Sequence, residues 1–267
     1  MKSFSLSVVM SCYKRDTLSH FSEALKSIFS QTYSPDEIIV VADGPISEEL
    51  NEYLSISEMQ KGLVVIRLER NSGLGFARNL AISRAKGELI AVMDADDISR
   101  PYRFEEQIQV FSSQDVDIVG GYIQEFSGEG CAVREVPISH REIYQRGKSR
   151  SPFNHVSVMF KKSLYEAVGG YRPIRGVEDY DLWHRMLIAG ARGLNIPKVL
   201  VDVRFGSDDV DRRRGLEYFR CWKDLILDMH ASGYIGLLRM LILISIHFVL
   251  RMSPPTMIRY YYYLLRR

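Results

Sequence analysis

The chain has 267 residues, a hydrophobic content of 46% and a net charge of +2, which suits one large α/β domain with an appendage, or two small domains, and argues against a disordered chain. Cys12, Cys131 and Cys221 lie far apart and are odd in number, so no disulfide framework or metal spacing is present and a reducing, cytoplasmic setting is expected. The charge is unevenly divided: residues 230–267 hold five arginines and no acid, which leaves −3 on the first 229 residues.

The first strand is expected at Leu6–Met10, with no basic region and long apolar stretch ahead of it to form a signal peptide. Further runs rich in Val and Ile follow at Glu37–Ala42, Leu63–Leu68, Leu89–Met93 and Asp117–Tyr122. Segments with helical spacing, such as Leu18–Phe29 and Phe76–Ala85, lie between them. The alternation predicts a mostly parallel sheet with helices on its faces. Pro101 reads as the first-turn residue of a helix to about Phe111. Residues 128–150 are polar and weakly periodic, the pattern of a loop or lid. A strand at Val156–Phe160, a helix around Ser163–Val168 ended by Gly169-Gly170, and a helix from near Asp179 to Ala189 complete the series.

The end of the chain differs in composition. Tyr234–Leu250 is apolar but contains Arg239 and His247, and its longest uninterrupted stretch is far short of the roughly 20 residues that span a bilayer. Pro254-Pro255 breaks it, and Tyr260–Tyr263 with Arg266-Arg267 form an aromatic, basic end. A pair of interfacial helices on an anionic membrane surface is expected, and no nucleic acid partner. The alternative is a helix packed on the α/β domain or on a second subunit.

Four segments carry chemistry. Asp94-Ala95-Asp96-Asp97 follows an apolar strand, at the sheet edge where open α/β folds bind ligands. Carboxylates so close repel unless a cation joins them, and Mg²⁺ or Mn²⁺ bound jointly with a diphosphate is the natural partner. An acidic turn that merely caps the next helix is the structural alternative. A calcium loop fails, because Ile98 and Ser99 stand where an oxygen ligand and a glycine are needed. Asp43-Gly44-Pro45, again after a strand, could accept hydrogen bonds from a ribose or base, or could be an ordinary turn. In Asn71–Asn79 the glycines allow close backbone approach and Arg78 could meet a diphosphate. A dinucleotide fingerprint is not met, since Arg78 stands where the third small residue belongs. Glu178-Asp179 precedes a helix and either caps it or supplies a general base. The six histidines, His155 among them, form no zinc pattern, and no serine-hydrolase elbow exists.

Taken in order, these segments resemble glycosyltransferase family 2, over about residues 5 to 205. Ser7–Tyr13 is similar to the family's first strand, where the base is held. Asp43 resembles the carboxylate that meets uracil or ribose, and Asp94-Ala95-Asp96 the metal-binding DXD motif. Glu178-Asp179 resembles the ED motif, whose aspartate is the base. The nearest subgroup is the bacterial amylovoran and exopolysaccharide transferases, on Asp36–Pro45 and on Val203-Arg204-Phe205-Gly206 with Arg212-Arg213. The sequence departs from the common Asp-Asp-Gly-Ser at Ala42-Asp43-Gly44-Pro45.

The resemblance implies a GT-A (α/β, Rossmann-like) domain over 1–205, with a nucleotide-sugar half (1–125), an acceptor half (126–205) and a helical membrane-associating extension (206–267). It implies an inverting transferase with a nucleotide-diphosphate sugar donor, expected to be a UDP-sugar, and a polyprenyl-diphosphate-linked glycan acceptor. Expected roles are Asp179 as base; Ser11, Tyr13, Asp43, Arg78, Asp94 and Asp96 at the donor; and Asp96 with Asp94 at the metal. His155, Glu178, Trp183, Arg204, Arg212 and Arg213 are expected about the acceptor and diphosphate. A nucleotidyltransferase would need glycines after the first strand, where Ser11–Arg15 has none. A non-catalytic binding module is the remaining alternative.

Overall fold

The computed structural model describes residues 4–127, 130–204 and 214–254. The chain begins with β1 (Leu6–Cys12), α1 (Leu18–Phe29), β2 (Glu37–Ala42), α2 (Glu48–Lys61), β3 (Val64–Arg67), α3 (Leu74–Arg84) and β4 (Leu89–Met93). β1 pairs in parallel with both β2 and β4, and β2 with β3. The chain therefore winds outward from β1 through β2 to β3, then crosses back to the other side of β1. That reversal leaves a crevice beyond the C-terminal ends of β1 and β4.

The second half extends the same sheet. After β5 (Ile98–Ser99) and α4 (Arg103–Ser113) come β6 (Ile118–Ser127), β7 (Gly130–Arg134), α5 (His140–Arg146), β8 (Met159–Lys161), α6 (Lys162–Ala167), α7 (Glu178–Ile188) and β9 (Gly193–Arg204). β8 runs antiparallel to β4 and to β6, while β6 and β9 are parallel. The sheet order is β3-β2-β1-β4-β8-β6-β9-β5, with β7 paired to β6.

Alternating side chains of β1 serve two cores. Leu6, Val8, Met10 and Cys12 pack with Phe21, Leu25 and Ile28 of α1. Val9 packs with Ala77, Ala81 and Ile82 of α3 on the opposite face, in a cluster that also holds Trp183 and Met186 of α7. Burial on both faces explains why these strands read as continuous apolar runs. Two C-terminal helices, α8 (Gly215–Ala231) and α9 (Leu237–Met252), form a third cluster with Val177 and Tyr180.

Several expectations change. Residues 128–150 are not simply a loop: β7 and α5 lie within them. All of β7 is exposed, so no apolar period marks it. Pro101 stands before the helix rather than in its first turn, since α4 starts at Arg103. The strand expected at Val156–Phe160 is instead a 3₁₀ turn, His155–Ser157, followed by β8. The helix expected from Asp179 is α7, and Gly169 and Gly170 end α6 with φ of +78° and +67°.

Candidate active site

The crevice gathers residues from four strand ends. Alternation along the turn after β4 leaves Asp94 and Asp96 half-buried, while Asp97 is only 2% exposed. Beneath Asp97 lies Arg103, fully buried, which donates to the carbonyl of Val92 at 2.9 Å and to Gln107 at 3.2 Å. Burial pushes the Arg103 pKa down to about 9, opposed by Asp97 and Asp94, so the guanidinium stays charged at neutral pH. Burial, then Asp94 and Asp96, hold the Asp97 carboxyl well above its ordinary range.

Arg78, on α3, is the central cation. Its side chain is 6% exposed and meets Asp94 at 2.5 Å. Burial alone would lower its pKa, but Asp94, Tyr171 and Asp179 outweigh that and raise it. Asp179, at the start of α7, therefore lies within electrostatic reach of the same guanidinium; its Oδ1 accepts from the Tyr180 backbone N–H at 2.8 Å. Glu178 is pushed up by burial and by Asp179. The N-terminal turn of α3 touches this segment, since a Cβ on Gly75 would lie 3.8 Å from Glu178 Cγ.

Asp43 has a role the sequence reading did not assign. Its carboxylate accepts from Ser72 N at 2.6 Å, Gly73 N at 2.9 Å and Asn71 Nδ2 at 3.0 Å. Three of roughly four acceptor sites are filled by protein, so Asp43 sets the Asn71–Gly73 loop and has room for about one more donor. Gly44 is required there: it takes φ +86°, and a Cβ would lie 2.5 Å from Asn71 N.

The other expected residues fall in three groups. Ser11 and Tyr13 stand at the end of β1, where the Tyr13 N–H donates to Asp16 at 2.8 Å. Asp16 was not anticipated; burial, with Asp96 and Asp94 nearby, pushes it up to about 6 despite that hydrogen bond. A lone Asp in a polar turn carries no signal of this.

Trp183 is fully buried, with its ring 5.6 Å from Phe153 and 5.7 Å from His155, so it supports the site from beneath rather than lining it. Both ring nitrogens of His155 are buried without a hydrogen-bond partner. Burial, then Arg78 and Arg103, lower its pKa, so the ring is neutral.

Arg204, expected about the acceptor and diphosphate, ends β9 and fastens the carboxylate turn. Its N–H donates to Asp97 at 3.1 Å and its Nε to the Asp96 carbonyl at 2.8 Å, while its Nη2 meets Glu23. Arg212 and Arg213 lie outside the described residues.

Among the described residues no group of three or more His, Cys, Asp or Glu surrounds a common metal position. Two carboxylates on one side, Asp94 and Asp96, still fit a hard divalent ion that keeps most of its coordination for water and phosphate oxygens.

Comparison with known proteins bears on this site. A model of glycosyl transferase family 2 matches residues 7–169. The amylovoran biosynthesis glycosyltransferase AmsE of Erwinia amylovora is 34% identical over 96% of this chain and 97% of its own. An Escherichia coli enzyme described as UDP-Gal:alpha-D-GlcNAc-diphosphoundecaprenol beta-1,3-galactosyltransferase is 35% identical over 96% of this chain and 94% of its own. Among solved structures, Staphylococcus aureus TarS 1–349 in complex with UDP-GlcNAc superposes with a TM-score of 0.68 at 17% identity, over 84% of this chain and 66% of that one. The chain spans only 39% of the longer TarS. The Pyrobaculum calidifontis mannosyltransferase PcManGT, in complex with GDP-Man and Mn²⁺, gives 0.63 at 17%, over 91% and 69%. The order of motifs, the reversal of winding at β1 and relatives matched almost end to end agree: the chain belongs to glycosyltransferase family 2 and has the GT-A fold.

Proposed function

We infer that the protein is an inverting transferase that moves a hexose from a UDP-sugar to a hydroxyl of a polyprenyl-diphosphate-linked glycan, in the assembly of a bacterial surface polysaccharide. The observation that carries this reading is Arg78, which pairs with Asp94 and stands within reach of Asp179. Its buried cation thus pairs with the carboxylate turn and feels the charge of the proposed base. The names of the two curated relatives support the polysaccharide setting, and that of the second the donor and acceptor class.

Asp179 takes the proton from the acceptor hydroxyl as that oxygen attacks the anomeric carbon. The bond from this carbon to the diphosphate oxygen breaks on the opposite face, its electron pair leaves with UDP, and the configuration inverts. Arg78 stabilises charge developing on the leaving diphosphate by hydrogen bonds that need no reorganisation. Asp94 and Asp96 would hold Mg²⁺ or Mn²⁺, which when bound supplies further neutralisation of that charge. Asp43 and Asn71 shape the base and ribose side, and Ser11 and Tyr13 flank it.

The outer face of α9 serves the acceptor's location. Leu238, Leu241, Ile242, Ile246 and Val249 are exposed and recur every three or four residues, while Met240, Leu243, His247 and Arg251 face inward. No described helix is long and apolar enough to cross a membrane. This stripe, with the exposed Arg239, suits an anionic bilayer surface.

Thermal-shift measurements with UDP, GDP and dTDP, each with Mn²⁺ or chelator, test the donor class. UDP with metal at about 100 times its dissociation constant should add roughly 2.7 kcal/mol. Asp179→Asn should keep that shift and lose transfer from UDP-galactose to GlcNAc-diphosphoundecaprenol; retained transfer would refute the base assignment.

A further inference from the structure

The C-terminal helices reach the catalytic machinery at one point besides their apolar contacts. Residues 168–177 join α6 to α7 and deliver Glu178 and Asp179. Within this segment Gly176 takes φ +80°, and a Cβ there would fall 2.3 Å from Cε2 of Tyr218 on α8. The Tyr218 hydroxyl donates to the Gly176 carbonyl at 3.1 Å. On its other side, the Gly176 backbone N–H lies against the Glu178 carboxyl and moderates the rise that burial causes there. One glycine is thus held by α8 through its carbonyl, two residues ahead of Glu178, whose carboxyl its amide moderates.

Contacts flanking the pair come from the same helix. Val177 packs with Leu225, Ile226 and Met229. Arg172 meets Asp228 of α8 at 2.6 Å and Asp181 of α7 at 3.5 Å. α9 backs α8 in turn: the His247 ring stacks on Trp222 at 3.8 Å and 17°, and the Arg251 guanidinium sits 4.8 Å from the Tyr218 ring centre. A helix that only covered apolar surface would need none of these polar contacts.

We propose that Tyr218 is a positioning residue: through Gly176 it sets the turn that aims Asp179, so the C-terminal helix pair is part of the catalytic apparatus. The proposal rests on Asp179 being the base. It contributes one neutral hydrogen bond and one ring contact to the approach of Asp179, not to donor binding.

The test compares wild type, Tyr218→Phe and Asp179→Asn in the full chain. Hydrogen exchange without ligand should be faster in Tyr218→Phe at the amides of residues 176–181, and unchanged in α1 and α3. Transfer from UDP-galactose to GlcNAc-diphosphoundecaprenol should show kcat lowered about three- to tenfold, the scale of one hydrogen bond, with the KM for UDP-galactose unmoved. Gly176→Ala, which drives a Cβ into the Tyr218 ring, should lower kcat more, and Tyr218→Ala added to it should recover part of the loss. Unchanged exchange at 176–181, or a kcat equal to wild type, overturns the proposal. Loss of transfer in Asp179→Asn beside an unaffected Tyr218→Phe sinks only the positioning role, whereas transfer retained in Asp179→Asn sinks the base.

Discussion

At the scale of single residues, the chemistry depends on side chains whose partners are far away in sequence. Asn79 is an example. Its Oδ1 accepts from Tyr171 N at 2.9 Å and from the Tyr165 hydroxyl, and its Nδ2 donates to the Tyr171 carbonyl at 2.8 Å. It therefore ties the helix carrying Arg78 to the segment leading toward Asp179. Asn79→Asp should remove the donor to Tyr171 and place a negative charge against that carbonyl, lowering stability by about 1–3 kcal/mol, as urea unfolding would register. Arg78→Lys should do worse than its charge suggests. An ammonium cannot present the planar fork to Asp94 and a diphosphate together, so kcat/KM should fall by about tenfold or more while the far-UV spectrum stays unchanged. Gly44→Ala forces a side chain onto the Asn71 backbone at positive φ and should destabilise by about 1–3 kcal/mol.

Elements were legible from the sequence in proportion to how much apolar surface they bury. β2 and β4 match their Val/Ile runs, and α1 its helical spacing, end to end. α5 was missed although Ser139 and Glu142 form a capping box, both halves of which are present. That signal was local and polar, and a search for apolar periodicity passes over it. Ser139→Ala should cost about 1 kcal/mol in denaturant unfolding and leave the response to UDP unchanged in thermal-shift measurements. The site was legible as a list of acids and arginines but not as an arrangement. Nothing in the order Asp94, Asp96, Asp97 says that the third turns inward to face Arg103, or that Asp43 is mostly occupied by the distant Asn71–Gly73 loop. Trp183 and Arg204 were read for their chemical type, and burial decided their use.

For the whole molecule, histidines mark two contacts that seat the C-terminal helices, His184 between α7 and the end of α8 and His247 between α9 and α8. His184 of α7 meets the Ser232 hydroxyl at 3.1 Å, and burial lowers its pKa to about 4. His247 of α9 is lowered to about 3 by burial and then by Arg251. Both rings are neutral when docked and take up protons more readily when released. With unfolded values near 6.5, the released state binds more protons below that point, so docking is at full strength above about pH 6.5. It weakens as pH falls toward about 4 and then toward about 3. Hydrogen exchange in α8 and α9 at pH 7 and pH 5 should show the loss, with β1 and β4 unaffected.

The pairing of β6 with β9 carries a consequence for how such enzymes diversify. β9 joins β6 along nine paired residues and then holds β5, immediately after the carboxylate turn. The first and second halves of the chain are thus woven into one fabric with no seam in the sheet between them. Exchange of acceptors is then expected to fall on the pieces at the sheet's margin and outside it, chiefly β7, α5 and the segment before α7. Grafting those pieces from a relative should transplant acceptor choice and leave nucleotide preference where it was.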